Sequence, residues 1–395
     1  MPGTPTAQER TMRVREVLMR AVQREISWIQ AADILGISAR SMRRWKVKFE
    51  TAGLEGVLDR RTLGHPNPRR VTRTELETVL ALYQGRYVGV NVRHFCSIAR
   101  REHGLPWSYS FVRQALQVAG LIKKRRPRGR HRLRRPPREC FGEMLHLDGS
   151  LHAWLALRPE ERQCLIVVVD DATRRLLYAQ LCEYEGTEPV LAAVHAVVTH
   201  HGVPQALYTD RAGWAAYTPK SGGPVDRDHP TQVGRALARL GVEHILAYSP
   251  QARGRSERLN RTLQDRLVHE LRLARIVTVE RANRFIHDTF LARHNAEFAV
   301  APADTASGFV TAGGADLDQI LCHEESRVVG KDNTVTLEGV RLQISKQPGR
   351  SSCAGLTVTA RRHLDRSHSV WWGPRRLGRF DPRGRLLKEA ASLAA

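Results

Sequence analysis

The chain has 395 residues, 42% of them hydrophobic, which is enough for several domains and excludes a wholly disordered protein. Lys and Arg number 63 against 40 Asp and Glu; the resulting formal charge of +23 is that of a polyanion binder. No apolar run is long enough to span a membrane, and the opening residues lack the apolar stretch of a signal peptide. Six scattered cysteines with no Cys-x-x-Cys spacing point to reduced thiols rather than a zinc knuckle or a redox pair.

Residues 1–60 are expected to form a helix-turn-helix DNA-binding domain. In Trp28-Ile-Gln-Ala-Ala-Asp-Ile-Leu-Gly36-Ile-Ser-Ala-Arg-Ser-Met-Arg-Arg-Trp45, the residues Ala31, Ala32, Ile34 and Leu35 would pack the first helix. Gly36 permits the tight turn and Ser38 can cap the next helix. That second helix would turn Met42 and Trp45 inward and present Arg40, Arg43, Arg44 and Lys46 to a major groove. Residues 61–122 read as a second helical domain after a Pro- and Arg-rich lead-in, and Ser108-Tyr-Ser-Phe-Val-Arg suits a second recognition helix. Residues 123–139 form an Arg-rich linker, with ten Lys or Arg between 123 and 138. Lys123, Lys124, Arg125 and Arg126 open this run, which can lie along phosphates and release counterions.

Residues 140–310 change to a strand pattern. Met144–Leu147 leads to Asp148, Cys164–Asp170 reads as a buried strand, and Leu176–Cys182 as its hairpin partner. Glu188–His201 reads as a helix closed by Gly202, Ala206–Thr209 as a strand, and Thr231–Leu240 as a helix closed by Gly241. A strand at Val242–Leu246 and helices at Ser256–Leu273 and Thr278–His294 follow. Three antiparallel strands followed by two added through helical crossovers predict an α/β, ribonuclease H-like mixed-sheet catalytic core, preceded by the all-α helix-turn-helix domains. Short alternating segments across 325–395 predict a small C-terminal β-barrel, its first hairpin within residues 328–344.

Three acids occupy suggestive places in this topology. Asp148 and Asp210 read as acids at neighbouring strand ends, and Glu257 as an acid on the first turn of the helix crossing the sheet. Three such carboxylates can hold two Mg²⁺ or Mn²⁺ ions about 4 Å apart beside a phosphate. One ion would activate the attacking water or sugar hydroxyl, and the other would neutralise the leaving oxygen. Glu257, Arg261 and Gln264 share a helical face. Arg253, Arg255, Arg258 and Arg261 can grip DNA nearby. Other acids have plainer readings: Asp170 and Asp171 belong to a hairpin turn, and Asp226 and Asp228 to a Gly/Pro-rich insertion. His146 reads as a packing residue, and Trp214 as either a stacking platform or a cover.

These segments resemble the integrase catalytic core shared by retroviral integrases and bacterial insertion-sequence transposases, and among the latter the ISNCY group. Leu147-Asp-Gly-Ser, Val169-Asp-Asp-Ala-Thr-Arg, Ser249-Pro-Gln-Ala-Arg-Gly-Arg-Ser-Glu-Arg and Thr262-Leu-Gln-Asp-Arg-Leu-Val carry the likeness. It implies that Asp148, Asp210 and Glu257 are the catalytic Asp-Asp-Glu triad of a two-metal-ion polynucleotidyl transferase. Such an enzyme binds terminal inverted repeats, cleaves a strand and transfers it into target DNA. The same likeness implies a homo-oligomer on DNA, no small-molecule substrate, and a place at the nucleoid in a bacterial cytoplasm. The chain departs from the pattern in a longer interval between Asp210 and Glu257, in His152-Ala153 and in Arg211-Ala212. An inactive relic or a helix-turn-helix regulator without catalysis is the alternative.

Overall fold

The computed structural model describes residues 7–57, 71–123, 136–219, 225–226, 228–247 and 254–387, with the backbone path alone at 7–11, 54 and 254–256. The chain divides into two compact units, residues 1–82 and 83–395. Among the described residues, no helix is long and apolar enough to cross a membrane.

In the first unit, α1 (Ala7–Val22), α2 (Trp28–Leu35) and α3 (Ala39–Val57) share a core of Val17, Leu18, Ala21, Ala31, Ala32, Met42 and Val57. Ile34, expected inside, is 39% exposed, because Ala31 and Ala32 already fill the inward stripe of the short α2. α4 (Arg73–Gly85) begins in this unit and ends in the next.

In the second unit, α5 (Val92–His103) and α6 (Tyr109–Val118) are each started by a side-chain cap. Asn91 Oδ1 accepts from the His94 amide at 2.8 Å, and Ser108 Oγ from the Phe111 amide at 3.3 Å. Next in chain order is the short strand β1 (Cys140–Phe141). The sheet itself holds β2 (Met144–His152), β3 (Gln163–Asp170), β4 (Leu176–Cys182), β5 (Ala206–Thr209) and β6 (Glu243–Leu246) in the order β4-β3-β2-β5-β6. β4, β3 and β2 are antiparallel, while β5 and β6 join in parallel. This is the mixed, ribonuclease H-like order expected.

Side-chain alternation on β3 divides the core. Cys164, Ile166 and Val168 face α7 (Thr187–His201) and α8 (Gln232–Leu240). Leu165, Val167 and Val169 face α9 (Gly254–Leu273) and α10 (Val279–Phe285). The single helix expected over Thr278–His294 is interrupted by a π-turn at Ile286–Phe290 before α11 (Leu291–Phe298). α5 is fastened to α9 and α11 by buried charge. Glu270 accepts from His94 Nε2 and Arg101 Nη2, each at 3.1 Å, and from Arg293 Nη1 at 3.4 Å.

β7 (Asp304–Ser307) pairs with β1, and the short α12 (Leu317–Ile320) leads into the C-terminal strands. The β-barrel expected there is corrected. β8 (His323–Val328), β11 (Thr357–Arg362), β12 (His368–Trp372) and β13 (Arg375–Phe380) form an open antiparallel sheet ordered β13-β12-β11-β8. Among the described residues, no sheet closes into a barrel, because β13 and β8 stay at opposite edges rather than pairing. β9 (Thr334–Leu337) and β10 (Val340–Gln343) form a separate hairpin. It covers the sheet by packing Val335, Leu337, Leu342 and Ile344 against Val358, Ala360, Val370 and Phe380. Short alternating strands suit a covered sheet as well as a closed one, which is why the pattern misled.

Candidate nucleic-acid interface and the three acids

The helix-turn-helix is built by local chemistry. Ser27 and Gln30 form a reciprocal capping box at the start of α2: the Gln30 amide donates to Ser27 Oγ at 3.2 Å, and the Ser27 amide to Gln30 Oε1 at 2.8 Å. Gly36 ends α2 at φ 66°, a left-handed conformation that a side chain would strain. Ser38 Oγ accepts from the Ser41 amide at 3.2 Å and starts α3. Met42 is buried at 1% exposure, which turns Arg40, Arg43 and Arg44 outward into solvent. Lys46 is half-buried; its ammonium stands 5.7 Å from the Trp28 ring and 3.7 Å from Glu50. Of the other basic residues expected to meet DNA, Lys123, Arg258 and Arg261 are exposed. Lys124, Arg125, Arg126 and Arg253 lie outside the described residues, and for Arg255 only the backbone is described.

The acids are placed by the sheet and by α9. Leu145 and Leu147 face α7 and α8, so alternation turns His146, Asp148 and Ser150 to the α9 side. Asp148 lies within β2 rather than at its end, and is 6% exposed. Its Oδ2 accepts from Asn260 Nδ2 at 2.8 Å, and Ser150 Oγ contacts Gln264 Nε2 at 3.0 Å. Four residues of helix rise about 6 Å and two residues of strand nearly 7 Å, so the two amides keep step with Asp148 and Ser150. Asp210 follows β5, and its Oδ1 accepts from the Ala212 amide at 2.9 Å. Glu257 lies one turn before Asn260 and is exposed.

The expected Mg²⁺ or Mn²⁺ pair, and the two-metal-ion transferase built on it, are corrected here. Among the described residues, no group of three or more His, Cys, Asp or Glu side chains could hold a metal ion. The physical reason is the residue that α9 presents to β2. It is Asn260, an amide that donates a proton to Asp148, rather than a third carboxylate. Nearby acids are engaged as well. Asp171 contacts His146 Nε2 at 2.7 Å and accepts from the Arg138 amide at 2.8 Å. Asp170 accepts from the Thr173 amide at 2.7 Å and the Gly142 amide at 2.9 Å, as its hairpin-turn reading requires. Trp214 is 7% exposed and donates from Nε1 to Glu185 Oε1 at 2.9 Å, so it is a cover rather than a free platform.

Sequence reasoning passed over Asn260 and Glu185. A signal for Asn260 existed, because it continues the sheet-facing stripe of Leu263, Leu267 and Leu271 on α9. Glu185 carried none: it packs against Gly149, where an added Cβ would stand 2.4 Å from its Cδ.

Fold and interface together define a helix-turn-helix protein with a ribonuclease H-like core. Residues 15–65 match the family described as helix-turn-helix domain. The chain is 30% identical over 374 residues to the protein named "Putative transposase y4bF" of Sinorhizobium fredii (strain NBRC 101917 / NGR234), covering 94% of this chain and 80% of that protein. It is 28% identical over 287 residues to the transposase for insertion sequence IS1202 of Streptococcus pneumoniae, covering 64% of this chain and 61% of that one. The chain therefore belongs to the transposase family. A looser likeness, at 15% identity and a TM-score of 0.32, is to a chain of the simian T-cell lymphotropic virus intasome solved by cryo-electron microscopy with the PP2A regulatory subunit B56 gamma. It covers 71% of this chain and 95% of that one.

Proposed function

We propose that the protein binds the terminal inverted repeats of an insertion sequence through α2 and α3, as a regulator or relic that occupies element ends without cutting them. The observation that carries this reading is the arrangement of α3. Met42 anchors it inward while Arg40, Arg43 and Arg44 project to solvent, the disposition that lets a second helix read a major groove. Lys123 and the basic run that follows would add sequence-independent phosphate contacts. In this reading Asp148 is a strut: it holds α9 through Asn260. Two element ends held together would call for a homo-oligomer on DNA, and kinship within the ISNCY group would rest on the motifs around Asp148 and Glu257.

The test uses the DNA flanking the gene. Band-shift titration should show preference for its inverted repeats over scrambled duplex, with no nicked or joined product when divalent cation is added. Equal affinity for scrambled DNA, or strand cleavage at a repeat end, would refute the proposal.

A further inference from the structure

The C-terminal sheet ends in a hairpin tip that the helix-turn-helix reading leaves unused. Trp372, at the end of β12, is 42% exposed. Arg350 lies over its ring, with the guanidinium carbon 4.9 Å from the centroid. The loop carrying Arg350 is fastened to the hairpin. Arg375 Nη2 donates to the Pro348 carbonyl at 3.2 Å, and Gln347 Nε2 donates to the Leu377 carbonyl at 3.0 Å. A shallow recess runs along this loop from Lys346 to Ser351. Lys346 and Arg375 are exposed beside it.

Residues 339–380 contain nine Lys or Arg and a single acid, Asp365. Arg361, Arg362 and Arg379 are paired with carboxylates, while Lys346, Arg350 and Arg375 gather at the tip. An accessible indole already layered with a guanidinium and flanked by exposed cations has the chemistry that takes an unpaired base on its face and the adjoining phosphates on the cations. A duplex cannot use this indole in the same way, because its base faces are occupied by their neighbours. We propose that the tip formed by Trp372, Arg350, Lys346 and Arg375 binds single-stranded DNA, one base stacking at Trp372. This site belongs to the second unit and does not depend on the repeat-binding proposal, which duplex DNA tests separately.

The experiment uses the full chain with a fluorescent oligo(dT) probe and, in parallel, the inverted-repeat duplex. Trp372→Ala should weaken oligo(dT) binding roughly 10-fold, the scale of one lost base stack. Trp372→Phe should restore most of that loss, and duplex affinity should stay unchanged. Ultraviolet cross-linking of wild-type protein to a bromodeoxyuridine oligonucleotide should label the peptide containing Trp372, a readout that does not rely on any variant folding. Unchanged oligo(dT) affinity in Trp372→Ala, an equal loss on duplex, labelling confined to other peptides, or tighter binding of oligo(rU) than oligo(dT) would each overturn the proposal.

Discussion

Acidification should weaken the 83–395 unit before its carboxylates titrate, and His294 is a principal cause. It sits on α11 at 4% exposure, its ring 5.7 Å from Phe290 and 4.7 Å from Phe298. Its Nδ1 is buried and, among the described residues, has no hydrogen-bond partner. Burial first, and then the neighbouring Arg266 guanidinium, push the imidazole from 6.5 down to about 4, against a smaller opposing pull from Glu297. The folded value lies below the unfolded one, so this contribution to stability is complete above about pH 6.5 and drains away as pH falls toward 4. At about 1.4 kcal/mol per unit, the full window amounts to about 3 kcal/mol, or a melting shift of about 6 °C for a unit of this size. His244, His269 and His363 are also held low by burial, so the informative quantity is a difference between proteins. His294→Phe keeps a ring between Phe290 and Phe298 but cannot titrate. Melting followed by circular dichroism between pH 7.5 and 4.5 should therefore show a shallower decline in the variant. Parallel declines would refute the assignment.

Glu270→Ala removes the carboxylate that gathers His94, Arg101 and Arg293. Burial raises its pKa, but the His94 hydrogen bond and the Arg101 charge outweigh it and hold Glu270 below the usual range, so its contribution is present above the unfolded value and lost as pH falls through the folded one. Both arginines reach solvent, so the expected cost is about 2 kcal/mol rather than the larger figure for a fully buried pair; urea titration at pH 7 checks it, and an unchanged midpoint would refute it. Gly142 has φ 85°, and a Cβ there would fall 2.2 Å from the Phe309 ring. Gly142→Ala should destabilise by about 2 kcal/mol or more in the same assay, and a midpoint equal to wild type would mean that the ring moves freely. Arg43→Ala with Arg44→Ala should weaken repeat binding and reduce the slope of log affinity against log salt by about 1 to 2; band shifts at several salt concentrations would show it, and an unaltered slope would place the phosphate contacts elsewhere.

Features set by local chemistry were the most legible in the sequence. Gly36, Ser38 and Gly241, which closes α8, each do what their residue types allow, whatever the rest of the chain does. The strand order of the core was also readable, because a buried β3 followed by a hairpin and two helical crossovers leaves few arrangements. Packing between distant segments was not readable in this way. The fastening of α5 to α9 at Glu270 joins residues whose partners lie some 170 positions away, and no periodicity announces it. The barrel failed for a related reason: whether β8 meets β13 depends on where the β9–β10 hairpin comes to rest, and the strands themselves carry no mark of it.

The three acids show why a motif and a centre are different claims. Motif spacing reports which residue types stand at a strand or on a helix turn; it does not report which of them points inward at the same level. On α9 that level is decided by the register of Asn260 with Asp148 and Gln264 with Ser150. Once an amide proton is directed at Asp148 Oδ2, one acceptor position of that oxygen is taken by a neutral donor. Glu257, one turn earlier, is left exposed. The carboxyl count along the chain is therefore the weaker observation, and the hydrogen bond that meets the central carboxylate is the stronger one. Among the described residues, that bond marks why Asp148, Asp210 and Glu257 share a motif without forming a group that could hold a metal ion.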